Sequence, residues 1–388
     1  MGSDESQPRR ASVWEERFGS GPPLTLGVEE EYMILDAETM ALASRIDDVL
    51  EGVVGTPIEG SVHPELMECV VEAATGVCRD IDDVRRDLTR IRRGLATAMG
   101  PHGLRLGGSG THAFSLAEDQ RITADDRYRA LVEQLQYVAR RELVFGMHVH
   151  VAMPDRETCL KVMEGMLMEL PILLALSVNS PFWRGKETGI ASTRTSVFAG
   201  FPRSGLPPRF DSYDDYADTV LWMEETGTIQ DYTRLWWDVR PHPRFGTIEI
   251  RVVDVQFDIE HTLAITAYVQ ALAAELIDEI ERGEPPPTHH RLLVAENKWL
   301  AARYGLDAKL MDLATGQRVT MTAEQLVQRR LRQLSPYAKE LGCLDALEQI
   351  TKIVEWGTGA TRQMRVYNAN RDLVEVTREL ADKTELVT

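Results

Sequence analysis

Cysteine is scarce in this chain: four thiols in 388 residues (Cys69, Cys78, Cys159 and Cys343), none in a Cys-x-x-Cys pair. That spacing excludes a disulfide framework, a zinc knuckle and a thioredoxin-like motif, and scattered thiols suit a reducing cytoplasm. Long apolar runs are missing too. The most apolar stretch, Met163–Val178, is interrupted by Glu164, Glu169 and Pro171. It is too short to span a bilayer and reads as a buried helix. The opening MGSDESQPRRASVWEERFGSG has no apolar segment of the signal-peptide kind. Positive charge is in deficit, with 43 Lys and Arg against 61 Asp and Glu and a net charge of −18. A duplex needs a Lys/Arg footprint, so nucleic acid and membrane partners are not expected. Nucleotides as small substrates stay open, because a bound cation can invert the local field. There is no Walker A or Rossmann fingerprint, no internal repeat, and no low-complexity tract beyond PPP.

What is present is ordinary for a globular protein: 43% hydrophobic and 27% charged residues, ample for a sizeable core. Residues 1–20 read as a mobile polar tail. From Leu24 the pattern alternates, with Leu24, Leu26, Val28 and Glu30 on one strand face and Thr25, Gly27, Glu29 and Glu31 on the other. Short helical spacing follows over 45–54, a strand over 65–74, an amphipathic helix over 80–99, and a strand over 104–108 running into GGSGTH. The pattern then predicts a helix over 128–142, a strand over 144–153, and one long buried helix over 156–179. Residues 180–210 lack periodicity but carry aromatics, which points to a functional loop. A hairpin around PHPRFG joins 234–240 to 247–254. The chain is mostly helical from Asp258, with breaks at GEPPPTHH and Gly357–Ala360. The order predicts an α+β fold with an antiparallel sheet.

Four acidic or basic clusters could carry chemistry. Glu29 and Glu31 leave one strand face about 7 Å apart, and acids inside an apolar strand are costly unless solvated or neutralised by metal. Glu65, Glu68 and Glu72 form a second group. As a strand, Glu68 and Glu72 share parity and Glu65 joins them only through a bulge near Pro64; as a helix, all three would merely be solvated. His148 and His150 share one face of the third segment, a pattern that offers metal or phosphate ligands. In the fourth, Glu249 and Arg251 share a face; they fit a cross-strand ion pair, or a cation-binding acid beside an arginine that neutralises phosphate or carboxylate charge. Asp238 and Arg240 share a face just upstream. Arg184, Lys186, Arg194, Arg203 and Arg209 in the long loop form a candidate anion site or a charged surface. Gly357–Gln363 adds backbone amides and Arg362.

The segments GVEEEYMILD, HPELMECVVEAATG, GGSGTH, FGMHVHVAMP, LPILLALSVNSPFWRGKETGIASTR, LWWDVRPHPRFGTIEIRVVD, ENKWLAARYGLDA and GTGATRQ together resemble the ATP-dependent carboxylate–amine ligases related to glutamate–cysteine ligase. The resemblance runs from about Leu24 to Arg365. It implies a glutamine-synthetase-like fold, a curved, mainly antiparallel sheet forming a funnel flanked by helices, as one catalytic domain over 21–388 with a helical C-terminal part. It implies ATP and two or three Mg²⁺ ions, phosphorylation of a substrate carboxylate (typically the γ-carboxylate of glutamate), and displacement of phosphate by cysteine or another amine. By the resemblance, Glu29, Glu31, Glu65, Glu72, His150 and Glu249 bind metal. Arg240, Arg251, Arg362 and His148 contact the nucleotide, and Arg251, Glu249 and Arg194 serve catalysis. It also implies small amino-acid and amine substrates and a homodimer. Two rival readings are a metal-dependent hydrolase built on His148 and His150, which lacks a further histidine to complete a zinc set, and a non-catalytic nucleotide or metabolite sensor.

Overall fold

The computed structural model of the protein describes residues 14–284, 287–315 and 317–386. Its main sheet has seven strands: β1 (Leu26–Asp36), β2 (Val62–Pro64), β3 (Val70–Ala74), β4 (Leu104–Gly107), β5 (Gly146–Ala152), β6 (Val239–His242) and β7 (Thr247–Asp254). The spatial order is β2-β3-β1-β5-β7-β6, and every pairing is antiparallel. β1 is long enough to take β5 along residues 26–30 and β4 along residues 33–36.

Alternation in the strands divides polar from apolar residues. Leu26 and Val28, Val149 and Val151, and Ile248, Ile250 and Val252 form one buried layer with Val84 and Leu88 of helix Ile81–Met99 and Leu263, Ala267 and Val269 of helix Ile259–Glu281. The first of these helices begins where the sequence predicts, capped by Asp80, which accepts from the Asp83 amide at 2.8 Å. Glu30 points into this same layer. Arg92 donates to it from Nη2 at 2.6 Å and from Nε at 3.2 Å, and Thr262 Oγ1 donates at 2.7 Å. A buried carboxylate is tolerable there because its charge and lone pairs are all met. Its neighbours Glu29 and Glu31 leave the opposite face.

Several sequence expectations need correction. The single helix over 156–179 is two, Arg156–Met166 and Leu170–Ser177. Pro171 has no N–H to continue a ladder but suits a first turn, so it starts the second helix. The helix over 128–142 breaks at Gln136, whose φ is +49°, into Asp126–Leu135 and Tyr137–Arg140. Helix Thr193–Phe198 and the two-residue strands Phe182–Trp183 and Lys186–Glu187 organise the long loop. Of the expected tail, residues 1–13 lie outside the described residues. Residues 14–20 are docked: the Trp14 ring packs edge-on to Tyr232, Phe18 packs on Tyr213, and the Gly19 amide donates to Met153 O at 3.1 Å. Residues 285 and 286 of the Pro-rich break also lie outside the described residues.

Candidate active site

Register carries the polar row across the open face of the sheet. Glu72 on β3 stands opposite Glu31 on β1; Glu29 stands opposite His148 on β5; His150 stands opposite Glu249 on β7; and Glu249 stands opposite Arg240 on β6. Two donor groups result. Glu31, Glu65 and Glu72 present carboxylate oxygens within 4.8 Å of one another, and so do the ligand atoms of Glu29, His150 and Glu249. Glu65 reaches its group because residues 65–69 turn between β2 and β3 rather than extending β3. Glu68 is carried outward to pair with Arg121 at 2.6 Å. The parity puzzle of the sequence is settled by that turn.

Around the second group the charges are matched. Arg240 Nε donates to Glu249 at 2.6 Å while its Nη1 donates to the carbonyls of Thr233 (2.8 Å) and Leu235 (2.9 Å). Arg251 also donates to Glu249. Burial favours the neutral acid, yet Arg240 and Arg251 hold the Glu249 carboxyl well below the usual carboxylate range. Burial likewise opposes ionisation of Glu29, and His150 foremost holds it well below that range. His150 Nδ1 bonds Thr247 Oγ1 at 3.0 Å, which aims Nε2 toward Glu29 Oε1, 3.5 Å away. His148 Nδ1 lies 3.1 Å from Glu29 Oε2.

The first group is compensated less, the Leu66 amide and Arg127 being outweighed at Glu65. Burial and Glu31 push the Glu65 carboxyl up to about 7, and burial with Glu29 and Glu65 nearby puts Glu72 well above the ordinary range. Glu142, which sequence reading placed at the end of a helix and assigned no role, is raised for the same reasons, burial followed by Glu31 and Glu65. No periodic or motif signal marked it.

Of the remaining predicted residues, Arg194 joins the site. Its guanidinium donates to Arg251 O at 3.1 Å and lies so close to Gly146 that a Cβ there would collide with it. Arg362 does not join. It donates to Asp258 at 3.2 Å, lies 3.2 Å from His261 Nε2, and covers the Phe257 ring. In the Gly-rich segments a Cβ at Gly110 would strike Asp254 and Gln363 Nε2 donates to Asn179 Oδ1 at 2.8 Å, while Gly357, Thr358 and Ala360 line a cavity of about 770 Å³.

Four buried nitrogens here have no hydrogen-bond partner among the described residues: His148 Nε2, His150 Nε2, Arg194 Nε and Arg251 Nε. Orphaned buried donors and acceptors are rare in folded proteins unless a ligand completes them. The oxygen-rich donor groups and the under-compensated acids fit divalent cations.

The model of glutamate–cysteine ligase family 2 matches residues 25–381. The chain belongs to that family. Among its relatives is a protein of Rubrobacter xylanophilus provisionally named glutamate–cysteine ligase 2-1, 40% identical over 360 residues, 93% of this chain and 94% of that one. A Solibacter usitatus protein provisionally named glutamate–cysteine ligase 2 is 40% identical over 364 residues, 94% of each. The glutamate–cysteine ligase of Francisella tularensis, solved in complex with AMP, shares the fold with TM-score 0.68 at 13% identity, over 94% of this chain and 90% of that one. A bifunctional glutathione synthetase from Pasteurella multocida aligns with TM-score 0.70 at 15% identity, over 94% of this chain and 52% of that one. As a member of glutamate–cysteine ligase family 2, the protein is an ATP-dependent carbon–nitrogen ligase, and the α+β fold expected from its sequence is the fold it has. No helix among the described residues is long and apolar enough to cross a membrane.

Proposed function

We infer that the protein activates a substrate carboxylate, the γ-carboxylate of glutamate, as an acyl-phosphate and transfers the acyl group to the amine of cysteine or of another amine. The observation that carries this reading is the convergence of two divalent-cation donor groups with orphaned Arg194 and Arg251 nitrogens on one sheet face. Mg²⁺ held there would supply the positive charge that neutralises the transferring group. Glu31, Glu65 and Glu72 would hold one ion, and Glu29, His150 and Glu249 another.

The chain's own residues do the rest. Arg240 fixes the Glu249 carboxylate in place through two strands. Arg251, anchored on that carboxylate through Nη1, keeps Nε free for a phosphoryl oxygen, a planar donor that lysine cannot copy. Arg194 adds a second free donor beside it. A cavity of about 430 Å³ opens on Glu29 and His150 between Gly27, Thr75, Gly76, Arg244 and Phe245, and is a fitting seat for the nucleoside. In the chemical steps, the γ-phosphoryl group passes to the carboxylate oxygen as ADP leaves. The amine nitrogen then attacks the acyl carbon, and phosphate leaves with the acyl C–O bond.

ADP release should require Mg²⁺, glutamate and an amine together. Turnover without ATP, or none with any amine, overturns the reading. Arg251→Lys should lower kcat far more than it weakens ATP binding; equal losses would take Arg251 out of the phosphoryl site.

A further inference from the structure

Asp254 ends β7 with a wholly buried carboxylate that belongs to neither donor group. Alternation from Glu249 and Arg251 would turn it to the far face of the strand. A slip in register between Met147 and Val149 on β5 reverses that parity: His150 stands opposite Glu249, and Gly146 opposite Asp254. Asp254 therefore leaves the same face as Glu249, opposite the glycine whose missing side chain makes room for the Arg194 guanidinium.

Three neutral donors meet the carboxylate. Oδ2 accepts from the Asn179 backbone N–H at 2.9 Å and from Ser180 Oγ at 2.7 Å, and Oδ1 accepts from Ser192 Oγ at 2.9 Å. Gly110 packs so closely that a Cβ there would lie 2.6 Å from Asp254 Cγ. Ser180 and Ser192 flank the segment 181–191, and their backbones meet in a parallel bridge. One carboxylate thus ties both ends of that segment to the last residue of an inner strand. Helix Thr193–Phe198 leaves directly from the tie. Its Thr193 N–H donates to Ser180 O at 3.0 Å, and its Arg194 N–H donates to Ser180 Oγ at 3.2 Å. The Ser180 hydroxyl therefore accepts from the Arg194 backbone and donates to Asp254. Ser192 Oγ also bonds Thr195 Oγ1 at 2.8 Å. A helix of six residues does not hold itself in water, so these outside bonds set its place. A buried carboxylate costs desolvation that an apolar side chain would not, and what it contributes here is geometry.

We propose that Asp254 is a positioning residue for phosphoryl transfer: it fixes Arg194 through Ser180 and Ser192 and does not itself touch substrate. The inference rests on the proposed reaction for what Arg194 does, and on hydrogen bonding alone for the clasp. Arg194 is held at its other end by its bond to Arg251 O, with Nε left free, so its aim depends on both anchors. A donor displaced by about 1 Å costs on the order of 10²-fold in rate. Loosening the clasp is therefore felt in the chemical step rather than in nucleotide binding.

Two measurements on the full chain test it: amide hydrogen exchange, and steady-state ADP release with Mg²⁺, ATP, glutamate and a panel of amines. Asp254→Asn keeps the shape of the side chain and removes its charge and one acceptor. Exchange over residues 181–198 should quicken at least ~tenfold in this variant, with the helix over 259–281 unchanged. Its kcat should fall roughly 10- to 100-fold while KM for ATP stays within about threefold. Added to Arg194→Gln, the same change should lower kcat by less than about twofold, because the residue it positions is already gone. A carboxylate that only supports the fold would instead multiply its loss onto that of Arg194. Ser180→Ala cuts one link and leaves the carboxylate in place. It should show the same pattern at smaller size, and it decides the question if Asp254→Asn does not fold. Unchanged exchange in both variants overturns the clasp. Full kcat despite quickened exchange, or losses that multiply, overturns the positioning. If no amine supports ADP release by the wild type, the proposed reaction falls and the role of Arg194 with it, while exchange still decides the clasp.

Discussion

The two donor groups on the sheet face are built from the same residue type and stand side by side, yet their electrostatics are opposite. Around Glu29 and Glu249, arginines and imidazoles hold the carboxyls ionised in the free protein. Around Glu65 and Glu72, acid faces acid and the carboxyls are pushed up. One half is organised before any ligand arrives. The other is left short of positive charge, which a bound cation supplies. The difference teaches that a preformed anchor and a charge deficit can share one strand, because β1 hands alternate side chains to different neighbours on β3 and β5.

That contrast can be broken hardest on its matched side. Glu249→Gln should cut turnover by about 10³-fold, since Arg240 and Arg251 lose the charge that orients them. Steady-state ADP release is the measurement, and a loss under tenfold would make the ion pairs ornamental to catalysis. On the far face, the buried Glu30 pair is a structural counterpart. Glu30→Gln should lower folding stability by about 3–5 kcal/mol, read from urea unfolding, because Arg92 stays buried without its partner.

The charge deficit makes the opposite prediction. Glu72→Gln should stabilise the metal-free protein, by about 1 kcal/mol, while lowering Mg²⁺ affinity, because it removes repulsion and a ligand together. Loss of stability in the absence of metal would show that the acids are not in conflict. A gentler probe is pH. Glu65 binds its proton more tightly in the folded protein, at about 7, than an ordinary glutamate does at 4.5. Its contribution is therefore fully present below pH 4.5 and lost as pH rises through 7. Melting temperature in EDTA should fall across that window by a few degrees, and saturating Mg²⁺ should flatten the fall by binding the ionised form.

Much of this was legible in the residues. Alternation separated Glu30 from Glu29 and Glu31, since a strand's period of two is a local property. The His148/His150 face and the Glu249/Arg251 pair were readable for the same reason. Glu65 was not, because a turn between strands has no period. Glu142 carries no pattern at all, and nothing in Arg362's own segment reveals that Asp258 and His261 meet it. The break before Pro171 was missed since a proline reads alike as an interruption inside one helix or the first turn of a new one.

The sequence by itself determined which residues leave each strand together, the reach of the helix over 81–99, and the family. The tertiary structure alone decided which faces meet: that Glu31 joins Glu72 across β1 and β3, that His150 meets Glu249 across β5 and β7, and that Arg203 meets the Arg234 carbonyl and the Trp236 ring. Side-chain parity is set by neighbours in the chain, whereas register and charge balance are set by contacts between segments far apart in it, and only folding brings those together.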